Sequence, residues 1–215
     1  MGVVAPNGRG LSAYERALRD GASGIRFISG MKRLNFACQV GGIPQDFETA
    51  RQGYFDHEEL PSINEGIGYA CVAAIDAWRD AGLTVPGPRD ENVDWETGAI
   101  CGSGIGGMDT IASSVVPMVN AGNVRRMGSR IVEQVMNSGT SARIAGLLAL
   151  GNQVTSNSSA CSTGNEAIVE AVLRIRGGLA TRMLAGGAEG SSPHIWGGFD
   201  AMRVICRKYN DRPEQ

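Results

Sequence analysis

One side chain in this sequence stands where chemistry, not packing, would want it. Cys161 lies in "SNSSACSTG" (156–164), between a β-like run, "NQVTSNS", and a helix-like run, "NEAIVEAVLRIR". A strand, a sharp turn of small residues and then a helix put this thiol at or beside a helix N-terminus. There the free N–H groups and the helix dipole favour a thiolate, the nucleophilic form of cysteine. The same N–H groups can hold the oxyanion that forms when a thiolate attacks an acyl carbonyl. Ser159, Ala160, Ser162, Thr163 and Gly164 are small enough to let a substrate chain approach.

Other motifs carry less. "GSGIGG" (102–107) matches G-x-G-x-x-G after a strand and before a helix, the dinucleotide fingerprint. That fingerprint wants an acidic residue about twenty positions on, where this chain reads "NAGNVRRMGSR", basic and loop-like. A glycine turn shaped for close packing is the preferred reading, and an NAD-binding domain the alternative. His57 in "DHEEL" lacks the second histidine of H-E-x-x-H, and His194 in "SSPHIW" is far from it. Neither a metal site nor a Cys–His pair is supported by spacing, and no G-x-S-x-G elbow occurs. Cys38, Cys71, Cys101 and Cys206 are widely spaced and never form CxxC, so they read as small buried hydrophobes. The chain has no secretory apolar segment and an odd number of cysteines. It therefore reads as a cytoplasmic protein with free thiols.

The elements that must position Cys161 follow from periodicity and glycine punctuation. "LSAYERALRDG" (11–21), "NEGIGYACVAAIDAWRDAG" (64–82) and "STGNEAIVEAVLRIRGG" (162–178) are helices stopped by glycine. Residues 25–60 hold short strands and loops, and a Pro/Gly loop, "TVPGPRDENVD" (84–94), leads into a buried strand, "WETGAIC". After the glycine turn comes a helix carrying Pro117. Residues 127–151 form a helix, a bend at Ser138–Gly139 and a second, near-continuously apolar helix. "NQVTSNSSA" and "ATRMLAGGAEG" are strands, and "HIWGGFDAMRVIC" is a last short helix. Strands alternating with helices imply an α/β fold whose mostly parallel sheet has helices on both faces. Helices 64–82 and 139–150 are apolar nearly all round, so a further layer or a partner subunit should cover them. No repeat or linker divides the chain, and residues 1–215 read as one domain or part of one. Gly at 31 of 215 residues is about double the usual share. A net charge of −2 gives no polyelectrolyte signature for nucleic acid or a membrane surface.

With these segments in order, the chain resembles the β-ketoacyl-acyl-carrier-protein synthases, the elongating ketosynthases among the thiolase-like condensing enzymes. The resemblance is carried by "GVVAPNG", "GSGIGG", "VMNSGTSARIAG", "SNSSACSTGNEAI", "MLAGGAEG", then "FDAM" and "KYND" followed by "PE". These span nearly the whole chain, and what they match is the N-terminal half of a family member.

The resemblance implies a thiolase-like αβαβα layered fold, with the two apolar helices in its middle layer. Cys161 would be the catalytic nucleophile, taking an acyl group from the phosphopantetheine thioester of an acyl carrier protein. With a partner carbanion from malonyl-carrier protein it would complete a decarboxylative condensation in fatty-acid or polyketide synthesis. The Cys161 N–H would supply half the oxyanion hole. Ile105, Gly198 and Phe199 would line the acyl pocket, and Met136 would reach towards a partner subunit's pocket. Arg125, Arg126 and Arg203 would dock the acidic carrier, unless they form only a solvated basic face. No cofactor beyond the carrier's phosphopantetheine is implied. A homodimer, or a pairing with a ketosynthase-like partner, is expected.

The family's two histidines and its "GFGG"-like loop come from its second half. The first strand is also mostly wanting, and both ends read as cut. The missing half is expected in a longer chain or a separate polypeptide, and alone this chain would be acylated slowly and would not condense. The alternative is a non-catalytic ketosynthase-like subunit shaping a partner's pocket, although a cysteine at 161 speaks against the chain-length-factor type.

Overall fold

The computed structural model describes residues 1–87 and 90–215. Residues 88 and 89 of the Pro/Gly loop lie outside the described residues. The chain starts with a tight hairpin, β1 (Val4–Ala5) and β2 (Gly8–Arg9), followed by helix α1 (Leu11–Arg19). A second hairpin pairs β3 (Ile25–Phe27) with β4 (Val40–Gly42), Ile25 opposite Gly42, around the short α2 (Ser29–Arg33). The four-residue α3 (Phe47–Ala50) and two 3-10 turns lead to α4 (Glu65–Asp80).

Helix α4 begins where the sequence supplies a cap: the Asn64 side chain accepts the Ile67 N–H at 3.0 Å. Gly82, with φ +75°, ends it. Between those stops it buries nine side chains or glycines, among them Ile67, Val72, Ile75 and Trp78. This accounts for the apolar run that no single exposed face could explain.

The main sheet has three parallel strands in the order β6-β5-β7, namely β5 (Thr97–Gly102), β6 (Val154–Thr155) and β7 (Arg182–Gly187). All six residues of the central β5 are buried, as its unalternating apolar pattern predicts. The β5-to-β6 connection runs through α5 (Met108–Thr110), a π-helical turn at Ile111–Val115, and α6 (Val116–Asn120). It continues through α7 (Arg130–Val135) and α8 (Gly139–Leu148), with the bend at Ser138–Gly139 where the sequence places it. The π-helical turn comes just before Pro117, a residue with no N–H to give the ladder.

From β6 the chain crosses back over β5 through α9 (Thr163–Arg176) to β7, and then enters α10 (Pro193–Ala201). Ala99 and Cys101 of β5 share a core with α4 and α8. Gly102, on the opposite side of the pleat, faces Thr163 of α9. Helices therefore cover both faces of the sheet.

Three expectations are corrected in detail. The strand expected over 152–160 keeps only Val154–Thr155 in the ladder, because the residues after it turn and spend their hydrogen bonds on side chains. The last helix ends at Ala201 instead of running to Cys206, and Arg203 adopts a left-handed φ of +60° that no helix can hold. Cys206 is exposed, unlike the buried Cys38, Cys71 and Cys101.

Candidate active site

The three strands end at one edge of the fold, and the segment 156–164 turns there between β6 and α9. Its base is a buried hydroxyl hub. Ser141 of α8 is fully buried; its Oγ lies 3.0 Å from the Cys101 N, 2.7 Å from the Cys101 carbonyl oxygen and 2.6 Å from that of Thr155. Ser156 adds its own hydroxyl to the Cys101 carbonyl at 2.8 Å. A strand of two ladder residues is thereby pinned to β5 and α8 at the point where it must turn.

The turn is closed by its own small polar residues. The Asn157 amide donates to the Thr163 carbonyl at 2.7 Å, and Thr163 Oγ1 accepts the Ser159 N–H at 2.9 Å. The Thr163 hydroxyl donates to the Ala160 carbonyl at 2.8 Å, and the Ser162 N–H reaches the Ser159 carbonyl at 3.0 Å. The Ser159 hydroxyl donates to Glu166, one turn into α9. Ala160, directly before the cysteine, has φ +49°, the left-handed region that costs a non-glycine residue about 1 kcal/mol. The reversal leaves the Cys161 side chain exposed, one residue before the α9 cap. Its N–H has no hydrogen-bond partner among the described residues. An exposed thiol, an unpaired amide and a helix N-terminus meet at one residue.

Close glycine approaches bring two further segments to this turn. A Cβ on Gly187, at the end of β7, would lie 3.2 Å from the Gly164 Cα in the first turn of α9. The "GSGIGG" turn arrives from β5, and a Cβ on its Gly104 would stand 3.6 Å from the Ala160 Cα. Close packing is thus the observed use of these glycines.

Of the other residues singled out from sequence, Ile105 is half-buried within this glycine turn. Phe199 of α10 is half-buried and lines a cleft of about 290 Å³ with Pro6, Pro44, Tyr69 and Trp196. Glu189 and Gly190 form part of the same wall, so the cleft adjoins the glycine turn. Gly198 is exposed, with open space at its Cα. Met136 is exposed just after α7, beside Gly106 and Gly107 in a narrow crevice. Arg125 and Arg126 are exposed on a 3-10 turn, Arg203 is exposed after α10, and none of the three forms an ion pair among the described residues.

Several polar residues at this edge were not singled out from sequence. Glu189 accepts the Ser103 hydroxyl at 2.5 Å and the Gly104 N–H at 2.9 Å. Glu65 accepts the Tyr69 hydroxyl at 2.7 Å and the Ser191 N–H at 2.6 Å. Burial pushes the Glu65 carboxyl above its ordinary range, and these hydrogen bonds only partly offset it. Asp200 accepts the Ala37 and Cys38 N–H groups at 2.9 and 3.0 Å, and those bonds hold its carboxyl below the usual range. Asn210 takes the Gln39 N–H at 2.8 Å. The available signal was the acid in "AGGAEG" and "FDAM" and the asparagine in "KYND", each quoted as a segment but not as a partner for backbone. Burial pushes the Cys101 thiol up to about 12 and raises Cys71 as well, so both stay protonated and inert at neutral pH. Among the described residues no group of three or more metal-ligating side chains occurs, and no helix is long and apolar enough to cross a membrane.

Residues 1–214 match the family profile described as beta-ketoacyl synthase, N-terminal domain. Among curated relatives, the 3-oxoacyl-[acyl-carrier-protein] synthase 2 of Vibrio harveyi is 30% identical over 100% of this chain and 50% of its own length. The chloroplastic 3-oxoacyl-[acyl-carrier-protein] synthase I of Arabidopsis thaliana is 31% identical over 100% of this chain and 44% of its own. A crystal structure of a beta-ketoacyl synthase from Burkholderia phymatum STM815 superposes with a TM-score of 0.86 at 27% identity, covering 99% of this chain and 50% of that one. The ishigamide ketosynthase/chain length factor superposes with a TM-score of 0.80 at 26% identity, over 95% of this chain and 50% of that one. The chain spans about half the length of the relatives it matches.

Proposed function

The chain belongs to the β-ketoacyl synthase family through that family's N-terminal domain, with its thiolase-like fold, and from this we propose that it is the nucleophile-bearing half of a ketosynthase. The observation that carries the reading is the meeting of an exposed thiol, an unpaired N–H and the start of α9 at Cys161. The Cys161 thiolate attacks the carbonyl of an acyl thioester on the phosphopantetheine of an acyl carrier protein. The Cys161 N–H takes the oxyanion. As the tetrahedral intermediate collapses, the new S–C bond stays, the C–S bond to pantetheine breaks, and the departing pantetheine thiolate takes a proton from water, balancing the one Cys161 released on ionising. Splitting acyl transfer in this way is covalent catalysis by an activated thiol.

Condensation with malonyl-carrier protein then draws on a C-terminal half that supplies two histidines. The outer face of α9 supports such a complement: Ile168, Val169, Val172, Leu173 and Ile175 are all exposed. Each is about half exposed, so burying what remains would contribute about 1 kcal/mol apiece. In this reading Ile105, Gly198 and Phe199 border the acyl chain, Met136 faces a second ketosynthase-like subunit, and Arg125, Arg126 and Arg203 attract the acidic carrier. The phosphopantetheine stays with the carrier, and the chain needs no resident cofactor.

The test is incubation with an acyl-carrier protein followed by peptide mass spectrometry. An acyl adduct on Cys161, absent from Cys161→Ala, is the expected result. Acylation of another residue, or an adduct that survives Cys161→Ala, overturns the assignment. A merely pocket-shaping subunit would leave the activity of its assembled complex intact in Cys161→Ala.

A further inference from the structure

The turn that carries Cys161 does not hold itself in place alone. Glu189 lies just beyond β7, at the edge where β5 ends and α9 begins. Its Oε1 accepts the Ser103 hydroxyl at 2.5 Å and its Oε2 accepts the Gly104 N–H at 2.9 Å. Ser103 Oγ in turn accepts the Gly106 N–H at 2.8 Å, so a single carboxylate secures both limbs of the glycine turn. That turn abuts the nucleophile segment: a Cβ at Gly104 would lie 3.0 Å from Glu189 Oε2 and 3.6 Å from both the Ala160 Cα and its carbonyl oxygen. Ala160 is the residue held at φ +49°, and such a conformation persists only where its surroundings over-determine it. The segment behind Glu189 is braced as well. Ser191 gives its N–H to Glu65 at 2.6 Å and shares a hydroxyl hydrogen bond of 3.1 Å with Tyr69.

We propose that Glu189 is a positioning residue for Cys161: through Ser103 and Gly104 it holds the glycine turn against Ala160 and so sets the direction in which the thiol is presented. It acts on the thiol through the Ser103 hydroxyl and the Gly104 N–H, in addition to its place in the wall of the Phe199 cleft. The proposal rests on the reading of Cys161 as nucleophile. Misplacing a reacting atom by about 1 Å can cost about a hundredfold in rate, so loosening this support should register in thiol reactivity itself.

The experiment uses the full chain and iodoacetamide, with peptide mass spectrometry of Cys161 and Cys206. Both thiols are exposed, so Cys206 serves as an internal reference for general accessibility. Cys161 is expected to alkylate about tenfold faster than Cys206. Glu189→Ala should lower that ratio about fivefold or more. Glu189→Gln keeps the length of the side chain, an acceptor for the Gly104 N–H and a donor for Ser103 Oγ, and should retain the ratio within about twofold. An unchanged ratio in a folded Glu189→Ala overturns the positioning role and leaves Cys161 as nucleophile. Equal loss in the Ala and Gln variants overturns the hydrogen-bond account. A ratio near one in the unsubstituted chain overturns the nucleophile reading beneath it. Where Glu189→Ala does not fold, Ser103→Ala decides: a fall in ratio supports the proposal, and no change overturns it.

Discussion

Gly102 and Asn157 meet backbone to backbone: a Cβ at Gly102 would stand 2.0 Å from the Asn157 carbonyl oxygen, and 2.6 Å from Thr163 Cγ2. The end of β5 and the segment entering the Cys161 turn are thus in contact with no room for a side chain. Gly102→Ala should force the two strands apart and destabilise the fold by about 3 kcal/mol. Urea unfolding measures the loss, and a midpoint unchanged from the parent chain would mean that the approach is looser than described. Gly198→Ala, inside α10 where nothing lies within 4 Å of a new Cβ, should instead stabilise by about 0.5–1 kcal/mol.

Ala160 supplies the second prediction, from its φ of +49°. Glycine adopts that conformation without the steric cost of a Cβ, and this gain exceeds the entropy it loses on folding. Ala160→Gly should therefore stabilise the chain, by up to about 1 kcal/mol. Ala160→Val should do the reverse by about 1–2 kcal/mol, since β-branched residues tolerate positive φ least. Paired denaturation curves decide the matter, and a destabilising Gly would show that Ala160 makes a contact its conformation does not reveal.

Ser141 tests how the short β6 is held. Its oxygen accepts the Cys101 N–H and its one proton goes to the carbonyl of Cys101 or of Thr155, both within reach in a fully buried setting. Ser141→Ala removes this buried hydroxyl's links between α8, β5 and β6, at a cost of about 2 kcal/mol. Amide exchange at Cys101, monitored by NMR, should accelerate along with the fall in stability. Protection equal to the parent's would sink the hub as an explanation.

Asp94 and Arg182 give a pH dependence. Burial works to raise the Asp94 carboxyl, but the Thr97 hydroxyl at 2.7 Å, the Glu96 N–H at 3.0 Å and the Arg182 guanidinium at 2.8 Å outweigh it. The folded chain therefore holds this carboxyl below its ordinary 3.8. A group depressed in the folded state contributes stability that is complete above the unfolded value and lost as pH falls through the folded one. Arg182→Gln should lower the urea midpoint at pH 6, and the difference from the parent should shrink below about pH 4. A difference constant across that range would show that Arg182 acts through packing alone.

Most of the elements around the site were legible because their signals are local. The Gly82 stop, the bend at Ser138–Gly139 and the continuous apolar run of β5 are each written within a few neighbouring residues. The small-residue turn before α9 was legible for the same reason, down to the placement of Cys161 at the helix entrance. The shortening of β6 and of the last helix was not. Apolar pattern reports where a strand or helix can form, whereas the hydroxyls of Ser141 and Ser156 and the left-handed Arg203 decide where pairing stops.

What the sequence determined by itself was the order of elements, the nucleophile's setting and the family, all carried by short segments in register along the chain. What only the tertiary structure decided was which polar groups hold those segments together. Glu189 reaches Ser103 across 86 positions, and Asp200 reaches Ala37 across 163. A carboxylate selects its donors by distance in space, and no spacing along the chain encodes that. A glycine's closeness to a carbonyl likewise exists only once two strands have met. The sequence could therefore name the thiol, but it took the fold to show which residues aim it.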